Sequence, residues 1–132
     1  MTGPADSSPI RVVVCDDVPE MRGLLRDTLE DDPIFQVVGE AENGRSGVAV
    51  VADLQPDVVI LDLSMPEMDG LEAIPHIAES SPRTGIVVLS GFEAARMREQ
   101  ALKLGADEYI EKGTRLEALS AAVQKAARAR RG

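Results

Sequence analysis

The sequence predicts an α/β domain in which a doubly wound, five-stranded parallel sheet carries five helices. Three observations lead there. The runs Ile10-Arg11-Val12-Val13-Val14-Cys15, Val58-Val59-Ile60-Leu61 and Ile86-Val87-Val88-Leu89 are short, β-branched and without alternation, the pattern of strands buried on both faces. Each run ends in a polar residue, namely Asp16-Asp17, Asp62 and Ser90. The segments between them repeat apolar residues at helical spacing, so that strand and helix alternate along the chain.

The elements follow in order. Met21, Leu24, Leu25 and Leu29 define a first helix between Val18 and Asp31, with Pro33 beyond it as a stop. Phe35 to Glu40 reads as a second strand with the weak alternation of a sheet edge. Asn43-Gly44 marks a turn before a second helix on Val48, Val51 and Ala52, which runs to about Leu54. Pro56-Asp57 restarts the chain into the third strand. Asp69 and Glu72 stand at capping-box spacing ahead of a helix over Leu71, Ile74 and Ile77. Pro75 lacks a backbone donor, so a kink or an irregular first turn is expected in that helix. After the fourth strand a helix is expected from about Glu93 to Leu104, closed by Gly105 as a left-handed cap. Asp107 to Glu111 forms the fifth strand, ending at Lys112. Thr114 and Glu117 predict a capping box for the last helix, with Leu116, Leu119, Val123 and Ala126-Ala127 as its apolar stripe. The arginines 128, 130 and 131 fall in its final turn, where they offset the helix dipole.

A chain of 132 residues is enough for one domain with a single core. With one Tyr and two Phe, that core must be aliphatic. The net charge of −9 argues against direct nucleic-acid binding, which depends on basic charge. The lone Cys15 forms no internal disulfide, reads as a small core hydrophobe and fits a reducing cytoplasmic setting. No apolar run approaches the ~20 residues of a membrane span. Residues 1–9 are polar and read as a disordered lead, which leaves 10–131 as the domain.

In an open α/β sheet, ligands bind outside the carboxyl ends of the strands, where the strand order reverses. With the flavodoxin-like order 2-1-3-4-5, the first and third strands pair, and Asp16, Asp17 and Asp62 converge in one crevice. Three carboxylates there repel one another, and a hard divalent cation such as Mg²⁺ relieves the repulsion. Lys112 supplies a mobile positive charge for an anion. Ser90 offers a donor to a phosphoryl oxygen, and Gly91 keeps the approach open.

The stretch Asp62-Leu63-Ser64-Met65-Pro66-Glu67-Met68-Asp69-Gly70 resembles the phosphoacceptor loop of the response-regulator receiver domain of two-component signalling. Asp16-Asp17, Ser90, Tyr109 and Lys112 stand in register with that family's other marks, and the similarity runs from about Arg11 to Arg128. The resemblance implies that Asp62 accepts a phosphoryl group from a sensor histidine kinase or a histidine phosphotransfer protein. It implies that Asp17, Asp62 and the backbone carbonyl of Ser64 ligate Mg²⁺, for which Mn²⁺ could substitute, with Asp16 acting through water. Ser90, Gly91 and Lys112 would surround the phosphoryl oxygens, and Ser90 and Tyr109 would act as the switch. The signal would leave through protein contacts of the fourth helix, fifth strand and fifth helix, to an unnamed effector or to a second copy in a phosphorylation-dependent homodimer. One departure stands out, since Gly113 follows Lys112 where the family usually has proline.

Other readings rank below this one. The chain could be the receiver of a larger helix-turn-helix DNA-binding regulator, although its sequence shows no output domain. A phosphohydrolase with an aspartyl nucleophile usually places a second acid two residues on, where this chain has Ser64. A nucleotide-binding domain would need a glycine-rich turn after the first strand, and Asp16-Asp17-Val18-Pro19 would repel a pyrophosphate. A switch without external turnover is therefore expected, not an enzyme. His76 is expected on the surface, without a role.

Overall fold

The computed structural model describes residues 8–63, 65, 68–91, 97–113 and 116–131. Strands and helices alternate as β1 (Ile10–Cys15), α1 (Pro19–Glu30), β2 (Phe35–Ala41), α2 (Gly44–Leu54), β3 (Val58–Asp62), α3 (Gly70–Ser80), β4 (Gly85–Ser90), α4 (Arg98–Leu104), β5 (Glu108–Glu111) and α5 (Leu116–Arg131). All pairings are parallel, and the sheet order is β2-β1-β3-β4-β5, as the sequence predicts.

Alternation along the central strands divides the core between the two faces of the sheet. Val13, Cys15, Val59, Leu61, Ile86 and Val88 pack with α2, α3 and α4 residues such as Val51, Ile74, Ile77 and Ala101. Their neighbours Val12, Val14, Val58, Ile60, Val87 and Leu89 pack with Leu25 and Leu29 of α1 and with Leu119, Val123 and Ala126 of α5. Both faces are thus dry, which is why these strands read as unbroken apolar runs. Among the described residues, the buried core is aliphatic apart from Phe35, Cys15 and Met65.

Two aspartates set the strand register by the same device. Asp57, just before β3, accepts from the Arg11 amide at 2.9 Å, while its own amide donates to the Arg11 carbonyl. Asp107, just before β5, accepts from the Ile86 amide at 2.8 Å and donates its amide to the Ile86 carbonyl. Each side chain thereby satisfies a donor at the open end of the neighbouring strand.

Several local expectations change in detail. Asn43 is the N-cap of α2, accepting from the Ser46 amide at 2.8 Å, and Gly44 is the first helical residue. A turn and a cap share the Asn signal because both use its side-chain oxygen on a nearby amide. The Asp69–Glu72 capping box is present in both directions. Helix α3 runs without a break through Pro75, whose ring nitrogen removes only one intrahelical bond. Gly105 closes α4 with a positive φ of 128°. Arg130 does more than offset a dipole. Its Nε donates to both Asp107 carboxylate oxygens at 3.0 Å, and its Nη2 donates to the Gly105 carbonyl at 2.7 Å, latching the end of α5 to the α4–β5 connection. The expected start of the fourth helix at Glu93, Thr114 of the second capping box, and residues 1–7 of the lead lie outside the described residues.

Candidate functional site

Sheet register assembles the site. Cys15 pairs with Leu61, so Asp16 and Asp62 follow side by side at the ends of β1 and β3. Asp62 pairs with Leu89, which places Ser90 one step further on, and Ser90 pairs with Glu111, which places Lys112 one step beyond. The Lys112 amide donates to the Ser90 carbonyl at 2.6 Å, tying the last two positions together. Residues up to 96 positions apart in sequence, Asp16 and Lys112, thereby meet at one edge of the sheet.

Asp16, Asp17 and Asp62 each bring a carboxylate oxygen within 4.8 Å of the others. Asp16 and Asp62 are buried and Asp17 is exposed. At an effective dielectric of about 20, each such pair of charges repels by about 3 kcal/mol. Lys112 opposes this, with Nζ 3.3 Å from Asp62 Oδ2 and 3.6 Å from Asp16 Oδ2. Asp16 Oδ1 accepts from the Val18 amide at 2.9 Å, whereas the buried Oδ2 has no hydrogen-bond partner and faces only the Lys112 ammonium, 3.6 Å away, among the described residues. A buried carboxylate oxygen without a donor is costly. An all-oxygen acidic set with that orphan atom fits a hard divalent cation of the Mg²⁺ type.

The other expected residues lie on or just after β4 and β5. Ser90 is buried, and its Oγ donates to the Gly91 carbonyl at 3.0 Å, while Gly91 itself is exposed. Tyr109 is half-buried on β5 opposite Val88, against the core face covered by α2 to α4. Gly113 adopts a φ of 92°, which the usual proline at that position could not reach. No cis peptide bond occurs among the described residues. Ser64, the expected carbonyl ligand, lies outside them. Cys15 is a core residue as expected, and His76 is exposed.

Burial, then the neighbouring Asp16 charge, push the Cys15 thiol up to about 12 from 9.0. A thiol held protonated in the fold but free to ionise in the unfolded chain makes a contribution that is complete below pH 9. It is lost as pH rises from 9 towards 12. Cys15→Ala should therefore flatten the alkaline limb of the stability profile in urea titrations. The native thiol should also resist alkylation at pH 8 until the chain unfolds.

Three features of the site escape the sequence. Gly70 lets the start of α3 approach β3, since a Cβ there would lie 2.4 Å from the Asp62 carbonyl oxygen. Gly44 does the same for the loop after β3, with the Met68 carbonyl oxygen 2.0 Å from a Cβ at that position and its own amide donating to that oxygen at 2.8 Å. Arg22 of α1 donates to the Asp16 carbonyl at 2.7 Å. A glycine or arginine at a helix start carries no local mark of such a contact.

Residues 12–124 match the family described as the response regulator receiver domain. The chain belongs to this family. Among its relatives, a chemotaxis protein CheY of Listeria monocytogenes is 35% identical over 90% of this chain and 99% of its own. A protein-glutamate methylesterase/protein-glutamine glutaminase of Carboxydothermus hydrogenoformans is 45% identical over 80% of this receiver chain, which spans only 30% of that protein's length. The signal receiver domain of the putative response regulator NarL from Mycobacterium tuberculosis superposes with a TM-score of 0.86 at 30% identity, covering 92% of this chain and 98% of that one. This receiver domain thus shares sequence with a relative of its own length and with part of a longer one, and shares its fold with a receiver domain at 30% identity. No described helix is long and apolar enough to cross a membrane.

Proposed function

We propose that Asp62 accepts a phosphoryl group from a histidine-bound donor, on a sensor kinase or a phosphotransfer protein, and that this resets the contacts of the α4–β5–α5 face. The observation that carries the reading is Lys112 Nζ held between the buried carboxylates of Asp16 and Asp62 inside a three-acid set. A structural ion pair has no need of three converging acids and one orphan oxygen, whereas a phosphoryl-transfer site does.

The chemistry follows from the chain's own groups. An Asp62 carboxylate oxygen forms a bond to phosphorus as the bond from phosphorus to the donor's imidazole nitrogen breaks, and the imidazole leaves as a neutral ring once protonated. Lys112 is close enough to turn from the carboxylates to the arriving phosphoryl oxygens and offset their charge. Ser90 can exchange its bond to Gly91 for one to a phosphoryl oxygen, being a hydroxyl one step beyond Asp62 in the register. Asp17 and Asp62, with Asp16 nearby, would hold Mg²⁺, which when bound would supply neutralisation of negative charge. On this reading the domain is a cytoplasmic switch and not a catalyst for an external substrate.

Movement of Ser90 pulls on the Lys112 amide through its carbonyl, and hence on the end of β5 that carries Tyr109. A groove of about 650 Å³ lined by Arg98, Tyr109, Ile110, Ala122 and Lys125 lies on that face and is where a partner would sense the change. The size of the change is bounded by the phosphoryl group's preference for one packing over the other. Adding beryllofluoride and Mg²⁺ as a phosphoryl mimic should shift amide NMR signals at Asp62, Ser90 and Lys112, and also at Tyr109 and along α4. Ser90→Ala should keep the first set and lose most of the second. Shifts confined to the acid cluster in the wild-type chain would refute the route to the α4–β5–α5 face.

A further inference from the structure

Among the described residues, Lys112 and Arg22 flank the three acids from opposite sides and engage them differently. Lys112 touches carboxylates of the set from the β5 side. Arg22 approaches from the β2 side and engages backbone instead, its Nη1 donating to the Asp16 carbonyl at 2.7 Å. The same guanidinium is seated by Nε on Glu40 Oε1 at 3.3 Å, and Glu40 is held in turn by Arg26 through its other oxygen. Arg22 is largely covered, with a side-chain exposure of 18%. The Asp16 amide donates to Ala41, the neighbour of Glu40 on β2, at 3.0 Å. The peptide joining Asp16 to Asp17 is thus clamped at its carbonyl by α1, while the amide before it is bound to β2.

This matters because Asp17 is the exposed member of the set and stands beyond the end of β1, where sheet hydrogen bonds no longer fix its backbone. We propose that Arg22 is a positioning residue of the metal site, using Glu40 as its seat and the Asp16 carbonyl as its target to hold the Asp17 carboxylate facing Asp62. The inference rests on the reading of the three acids as a Mg²⁺ site. A planar guanidinium can span the carboxylate on one side and the carbonyl on the other, which a single ammonium cannot do with the same geometry. Groups that orient metal ligands without touching the metal commonly change affinity by about 10- to 100-fold.

Charge and position predict opposite results, so calorimetric titration of Mg²⁺ into the folded chain separates them. If Arg22 positions Asp17, both Arg22→Met and Arg22→Lys weaken Mg²⁺ binding, by about tenfold, and both shift the Asp16 and Asp17 amide NMR signals before metal is added. If Arg22 is only a nearby cation, Arg22→Met tightens Mg²⁺ binding by removing repulsion and Arg22→Lys leaves it unchanged; either result overturns the proposal. Should Arg22→Met fail to fold, Arg22→Lys alone decides, since weaker binding supports positioning and equal binding refutes it. Absence of Mg²⁺ binding by the wild-type chain, or equal binding by Asp17→Asn, would instead sink the metal site itself, and the proposal with it.

Discussion

Gly70→Ala and Gly44→Ala are expected to destabilise the fold by about 3 kcal/mol or more each, the upper range for overpacking. The added Cβ would lie 2.4 Å from the Asp62 carbonyl oxygen in the first case and 2.0 Å from that of Met68 in the second. Both obstacles are backbone, which cannot rotate aside as a side chain can. Relief requires moving the start of α3 or the loop after β3, so Asp62 and its surroundings should be displaced as well. Gly23→Ala is the control: nothing lies within 4 Å of a Cβ there, and the position is inside α1. Replacing an interior helical glycine should raise stability by about 0.5–1 kcal/mol. Urea unfolding of the three variants checks the set, and a Gly70→Ala chain as stable as wild type would mean that the contact is not as close as described.

Lys112→Met should have the next largest effect, with a sign that depends on Mg²⁺. Without metal, the variant leaves two buried carboxylates without the cation 3.3 and 3.6 Å away. Breaking a buried pair costs about 3–5 kcal/mol, and the partial exposure of Lys112 reduces this to about 1–3 kcal/mol. With Mg²⁺ present, the ammonium no longer competes for the same oxygens, so the metal should bind more tightly than in wild type. Millimolar Mg²⁺ should therefore raise the melting temperature of Lys112→Met by more than it raises that of wild type. Equal increments would show that Lys112 and the metal do not share these acids.

The strands and the acids at their ends are legible in the sequence for one reason. A strand covered on both faces must be continuously apolar, so the first charged residue after it marks its carboxyl end, and in this topology that end is the site. Asp16 and Asp62 are found this way, and Ser90 as the first polar residue after its run; Lys112 is read instead from its place just after the half-exposed edge strand β5. The contacts that hold them are not legible. Arg22 reaches the Asp16 carbonyl only because α1 leans towards β2, and Gly44 is needed only because the loop carrying Met68 crosses the start of α2. Arg130 shows the same limit: its spacing suits a helix end, while its partners, Asp107 and Gly105, lie more than 20 residues earlier. Such contacts are set by packing between elements, which periodicity and capping rules do not encode.

The central claim is that Asp62 is the phosphoacceptor. Incubation with acetyl phosphate and Mg²⁺, followed by intact-mass measurement and peptide mapping at acidic pH, tests it most directly. The chain should gain the mass of one phosphoryl group, located on Asp62, and lose it when metal is removed by chelation before the donor is added. Asp62→Asn, whose amide is no nucleophile, should gain none while remaining folded. A phosphoryl group mapped to another residue of the wild-type chain, or equal labelling of Asp62→Asn, would contradict the account.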